Sequence, residues 1–304
     1  MIRRTTTLLI TLAALLAFAV PAEAGAATHY ATSSNWAGYV VGKPGVRFHS
    51  VAGTWVQPAA TCTPGARRYS AYWIGIGGYH AKTHALEQIG TQADCSSTGE
   101  PFYSAWYELV PAGPVDVHLK VRPGDKMSAH VTVSHGTVRF RLANLTLGTV
   151  FTAREPARHL DVKTAEWIVE APSNCGTGAC HTLPLADFGT AGFANARATN
   201  TAGRTGPIAD PAWSATAVSL SPEAGDSSPA NLAVGGPAAS ATPGALSANG
   251  DAFTVSYAGA PVPVPVPTPP APEPPTPEPL PPTPVPLPPT PTPLPIAPGV
   301  PPTG

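Results

Sequence analysis

Tyr72-Trp73-Ile74-Gly75-Ile76-Gly77 sets Tyr72, Ile74 and Ile76 on one side of an extended chain and Trp73, Gly75 and Gly77 on the other. It is too short for a helix of ordinary length and rich in aromatic and β-branched residues, so it predicts a strand. Similar runs lie outward from it in both directions: Trp36 to Val41, Ser50 to Val56, Phe102 to Val110, Asp116 to Val121, Met127 to Ser134, Val138 to Leu142, Ala165 to Val169 and Ala252 to Tyr257. Gly, Pro, Asn and Ser clusters separate them. After the N-terminal segment no stretch holds a 3.6-residue apolar period. Many short strands at turn-separated intervals predict an all-β, largely antiparallel sandwich of two large sheets.

The two-residue period also sorts polar side chains. In Tyr103-Ser104-Ala105-Trp106-Tyr107-Glu108-Leu109-Val110, Trp106 and Glu108 share a face with Ser104, opposite Tyr107 and Leu109. In Ala165-Glu166-Trp167-Ile168-Val169-Glu170, both glutamates face away from Trp167 and Val169. In Ala85-Leu86-Glu87-Gln88-Ile89, Gln88 lies with Leu86 and opposite Glu87. Several strands therefore pair an apolar face with one mixing Trp, Gly and a carboxylate or amide. Carboxylates are seldom buried without partners, so the second face is either plain solvent-facing sheet or a wet groove, in which Gly leaves room and Trp offers a flat contact surface.

The ends of the 304-residue chain differ from its middle. Arg3 and Arg4, an apolar run from Leu8 to Val20 and Ala22-Glu23-Ala24 form the three parts of a secretory signal peptide over 1–24. The run falls short of the roughly 20 residues a membrane span requires, so no span is expected after its removal and the mature protein is expected outside the cell. Residues 25–32 form a short connecting segment. Residues 259–304 are Pro-rich, incompatible with ladders or helices, and are expected to form an extended, disordered polyproline II tail reaching roughly 130 Å. A spacer or a stalk contacting the cell wall is the expected role. The domain proper is expected over 33–258, as a monomer.

A net charge of −1 argues against a nucleic-acid partner. Behind a signal peptide, four cysteines predict two disulfides: Cys175 with Cys180 as a small loop closure, leaving Cys62 with Cys95. Their spacing does not suit zinc, and no metal or cofactor is expected. Gly-x-Ser-x-Gly, His-Glu-x-x-His, P-loop and Rossmann signatures are absent. Gly225-Asp226-Ser227 lacks the following glycine of a hydrolase nucleophile turn, and His80 and His84 read as loop-surface residues. What remains is carboxylate chemistry by Glu87, Glu108, Glu166 or Glu170, with Gln88 as a candidate oxyanion donor. Paired glutamates would equally serve a glycoside hydrolase, and a secreted lectin- or adhesin-type binding module would need neither.

Six ordered segments decide among these. Ser34-Asn35-Trp36-Ala37-Gly38, Tyr72 to Gly77, Leu86-Glu87-Gln88-Ile89-Gly90, Tyr103 to Glu108, Ala143-Asn144-Leu145-Thr146-Leu147-Gly148 and Ala165 to Glu170 resemble, in order and near spacing, the glutamic peptidases or eqolisins. The resemblance covers roughly Ser33 to Tyr257. It implies two seven-stranded antiparallel sheets bent around a peptide-binding groove, a catalytic dyad of Gln88 and Glu170, and groove-lining Trp36, Trp73, Tyr103, Trp106 and Glu108. It further implies a secreted, pepstatin-insensitive acid endopeptidase acting on protein or peptide substrates, with Glu170 as general base and acid and Gln88 as oxyanion stabiliser. An unshifted Glu pKa of about 4.3 would keep the base form in moderate acid. The chain departs from the family at Gly77 and Ser104, where an Asp is usual, and at Ala171, where an acidic residue follows the catalytic Glu; these losses imply a less acidic optimum.

Overall fold

The computed structural model describes residues 29–79, 85–175, 180–221 and 239–259. The signal segment, His80, His84, Gly225-Asp226-Ser227 and nearly all of the Pro-rich tail lie outside them, as do the side chains of Cys175 and Cys180.

Among the described residues eighteen strands follow one another. The first six are β1 (His29–Ser33), β2 (Trp36–Gly42), β3 (Phe48–Val56), β4 (Ala71–Gly77), β5 (Leu86–Cys95) and β6 (Pro101–Val110). Next come β7 (Val115–Val117), β8 (Lys126–Ser134), β9 (Thr137–Asn144), β10 (Thr149–Pro156), β11 (Thr164–Glu170) and β12 (Ser173–Cys175). The remainder are β13 (Cys180–Thr182), β14 (Thr190–Asn200), β15 (Thr205–Pro207), β16 (Ser214–Leu220), β17 (Ser240–Pro243) and β18 (Phe253–Ala258). The main ladder runs β10-β9-β8-β3-β14-β18-β17-β16-β2-β11-β4-β5-β6-β7, with β15 on β14. It divides into two groups of seven at β17–β16, where the pairing is the single match Leu220↔Ala241. β1 adds a parallel pairing to β16, so the sheet already begins at His29.

The two groups pack face to face as the layers of the expected sandwich. Tyr72, Ile74, Ile76, Ile89 and Trp167 from one meet Val51, Trp55, Met127, Phe140 and Leu142 from the other in one apolar core. Each fully buried aliphatic side chain there contributes about 1.5–3 kcal/mol. Two indoles bolt the layers together: Trp167 Nε1 donates to Ala52 O at 2.9 Å, and Trp55 Nε1 to Thr91 Oγ1 at 3.0 Å. Gly53 makes the first possible, because a Cβ there would stand 2.9 Å from Trp167 Cδ1. Cys62 and Cys95 form a disulfide tying the end of β5 to the loop after β3. Cys175 and Cys180 are opposite each other in the β12–β13 hairpin.

Candidate active site

The outward face of the front layer (β16, β2, β11, β4, β5, β6, β7) carries the residues of interest. Register explains their grouping: residues directly opposite each other share a face. Glu170 lies opposite Trp36 on β2; Ile168 lies opposite Trp73, and through Gly90 this row continues to Trp106. Glu166, Gly75, Gln88 and Glu108 form the next row. The alternation read from the sequence therefore holds for Trp73, Gln88, Trp106, Glu108 and Glu170.

Tyr103, expected in the groove from the resemblance and not from the alternation, lies on the other face. Tyr103 is in step with Ala105 and Tyr107, so its ring packs on the core side, and its hydroxyl accepts from Ala60 N at 3.3 Å. The tryptophans also differ from a solvent-washed platform. Trp36, Trp73 and Trp106 are only 3%, 0% and 4% exposed and, with Val40, Leu86, Ile168 and Val218, form a second apolar cluster. Trp36 and Trp73 meet edge to face at 5.0 Å. Gly90 accommodates this packing, since a Cβ there would fall 2.6 Å from Trp73 Cβ.

Glu170 sits at the edge of that cluster, its carboxylate held by donors on both oxygens. Trp73 Nε1 donates to Oε2 at 2.7 Å and Asn35 Nδ2 to Oε1 at 3.0 Å, and Trp36 also hydrogen-bonds the carboxylate. Asn35 was not singled out by sequence reasoning, although it lies within the quoted Ser34-Asn35-Trp36-Ala37-Gly38. The local geometry explains that motif. Ser33 Oγ accepts from Trp36 N at 3.1 Å and donates to Asn35 Oδ1 at 3.1 Å, turning the Asn35 amide nitrogen towards Glu170. Ala171 N donates to Asn35 O, locking the turn to the end of β11. Gly38, at φ 150°, has no space for a side chain, because a Cβ would lie 2.1 Å from Trp167 O.

Gln88 Nε2 donates to Glu108 Oε2 at 2.5 Å. Gln88 Oε1 and Trp106 Nε1 are buried with no hydrogen-bond partner among the described residues. Glu108 links the two halves of the site: it accepts from Gln88 and is near enough to raise the proton affinity of Glu170. Burial first, and then the Glu108 charge, push the Glu170 pKa up to about 8 against the three donors that favour its anion. The unshifted value expected from sequence is thus corrected: desolvation outweighs the hydrogen bonds. Burial likewise raises Glu108, with the Gln88 bond opposing.

A second group of acids occupies the interior beside this site. Glu87, Asp161 and Glu166 are each nearly inaccessible. Each has at least one buried carboxylate oxygen without a partner among the described residues. Burial leads the upward shift of Glu87 to about 8 and of Glu166 well above the usual range, with Asp161 adding to both. No set of three or more His, Cys, Asp or Glu among the described residues is arranged to hold a metal.

The Peptidase A4 family model matches residues 34–223. Aspergillopepsin-2 from Aspergillus niger is 29% identical over 198 residues, which cover 58% of this chain and 67% of that protein. Among solved structures, scytalido-glutamic peptidase with a transition state analog inhibitor superimposes with a TM-score of 0.58 at 23% identity, covering 74% of this chain and 98% of that one. SCP-B, a member of the eqolisin family in a complex with the tripeptide Ala-Ile-His, gives 0.50 at 22%, with the same coverage. These two establish likeness of fold, and the family model spans β2, β4, β5, β6 and β11, the strands that carry the site. The chain belongs to the Peptidase A4 family, and is a glutamic-type endopeptidase.

Proposed function

We propose that the chain is a secreted endopeptidase that hydrolyses peptide bonds with Glu170 and Gln88. The observation that carries this reading is the Glu170 carboxylate, fixed by Trp73, Asn35 and Trp36, on the same face as an amide oriented by Glu108. A side-chain amide nitrogen bears two hydrogens. Glu108 takes one from Gln88, which leaves the other for the oxyanion of a tetrahedral intermediate. Glu170 as carboxylate removes a proton from water as the oxygen bonds to the scissile carbonyl carbon. It then returns that proton to the nitrogen as the C–N bond breaks, so no acyl-enzyme forms.

With a pKa of about 8 in the free enzyme, the ionised form of Glu170 is the minor one in acid. Activity is expected to rise from strongly acid pH towards neutrality, a less acidic profile than an unshifted glutamate would give. The acid optimum expected from the resemblance is thereby moved towards neutrality.

Digestion of acid-denatured casein between pH 2 and 8, with pepstatin present, tests the reading beside Gln88→Ala and Glu170→Ala, whose fold is checked by circular dichroism. Pepstatin-resistant cleavage lost in both variants is the expected result. Cleavage that persists in folded Gln88→Ala removes the amide from the mechanism. A folded wild type that cleaves nothing at any pH returns the site to the binding-module reading.

A further inference from the structure

The outer surface of the back layer (β10, β9, β8, β3, β14, β18, β17) carries a charge pattern that peptide hydrolysis leaves unused. On β9 and β10, Arg139 stands directly opposite Arg154; Arg141 stands between His130 of β8 and Thr152 of β10. All three arginines are exposed. Like charges opposite each other on one face destabilise a sheet, and nothing on these strands relieves them. Glu155, the one acidic residue within β3, β8, β9 and β10, is on the core side, where it accepts from Tyr107 Oη at 2.9 Å. Among the described residues no ion pair involves Arg139, Arg141 or Arg154. With a net charge of −1 over the chain, this positive charge is a local feature and not a consequence of overall composition.

The surroundings define what would fit. Ser50, Thr132 and Thr152 bring hydroxyls to the same face, with Ser50 Oγ bonded to His130 Nε2 at 2.6 Å. No Phe, Tyr or Trp projects outward from β3, β8, β9 or β10, because Phe140 and Phe151 pack with Tyr107 on the core side. Guanidinium forks match carboxylate, sulfate and phosphate groups, and hydroxyls match those of sugars. A nucleic-acid surface would call for aromatic platforms under the bases. We propose that the Arg139, Arg141 and Arg154 face binds an anionic polysaccharide, holding the enzyme to a charged glycan while the opposite layer keeps its catalytic face free.

A charged edge strand also discourages sheet-to-sheet pairing, and β10 is such an edge. That role alone would be met by Arg154, without two further arginines on the interior strand β9. The test is binding of the full chain to polygalacturonate at pH 7 and low ionic strength, with neutral dextran and a single-stranded oligonucleotide as comparators. Three proteins are compared: wild type, Arg139→Gln/Arg141→Gln/Arg154→Gln, and a variant removing the same charge elsewhere, Lys43→Gln/Arg47→Gln/Lys163→Gln. Wild type is expected to bind polygalacturonate in a salt-sensitive manner and to ignore dextran. The back-face variant should bind at least tenfold more weakly with an unfolding temperature no lower than wild type, and the control should bind nearly as wild type. Equal weakening in both variants overturns the proposal, as does absence of wild-type binding or oligonucleotide binding as tight as that of the glycan.

Discussion

Asn35 and Glu170, 135 positions apart in the chain, are joined by a 3.0 Å hydrogen bond from Nδ2 to Oε1. The turn at Ser33 aims the amide and β11 delivers the carboxylate. Together with Trp73 and Trp36, Asn35 works against the burial that holds Glu170 protonated.

Asn35→Ala should therefore raise the Glu170 pKa further and lower kcat/KM. A hydrogen bond to a charged group is worth about 1.5–3 kcal/mol, which corresponds to roughly a ten- to hundredfold loss. Kinetics across pH check it: the deficit should be largest in acid and shrink as Glu170 ionises, whereas mere misfolding would give a uniform loss.

Glu108→Gln removes the negative neighbour that raises Glu170. The Glu170 pKa should fall, so its base form persists to lower pH and the acid limb of the kcat/KM profile moves acidward. The maximal rate should also drop, because Gln88 loses the carboxylate that orients its amide. An acid limb that stays in place would show that Glu108 does not set the ionisation of Glu170.

Stability should be greatest in acid. The folded pKa values of Glu87 and Glu166 lie above their unfolded values. The neutral form is thus favoured by folding, its stabilisation is complete below about pH 4.3, and it is lost as pH rises through the folded values. Asp94, pushed up to about 6 chiefly by burial, contributes in the same direction. Thermal unfolding from pH 4 to 9 should show a falling Tm, with the decline reduced in Glu87→Gln and Glu166→Gln.

Loss of the Cys62–Cys95 disulfide, which closes a sequence separation of 33, should cost about 3.7 kcal/mol by the chain-entropy relation. Chemical denaturation of Cys62→Ser/Cys95→Ser measures it. Because the bridge lies outside the Gln88 and Glu170 contacts, specific activity of the folded fraction should stay close to wild type.

Strand alternation made much of this site legible in the sequence. Tyr72 to Gly77, Tyr103 to Val110 and Ala165 to Glu170 each sort their side chains by parity alone, and that parity correctly put Trp73, Trp106, Glu108 and Glu170 on the face away from the core. The same rule applied to Tyr103 would have kept it off the groove list, since it is in step with Tyr107 and not with Trp106.

Only the tertiary structure decided what each face encounters. Local pattern does not reveal that three tryptophans bury one another, that Asn35 reaches Glu170, or that Glu87, Asp161 and Glu166 converge. These contacts join strands separated by tens of residues, and a pKa depends on the burial and charges that such contacts create. Parity is a property of the covalent backbone and so is written in the sequence; desolvation of Glu170 to a pKa of about 8 arises only when the folded sheet brings β2, β4 and β6 around it.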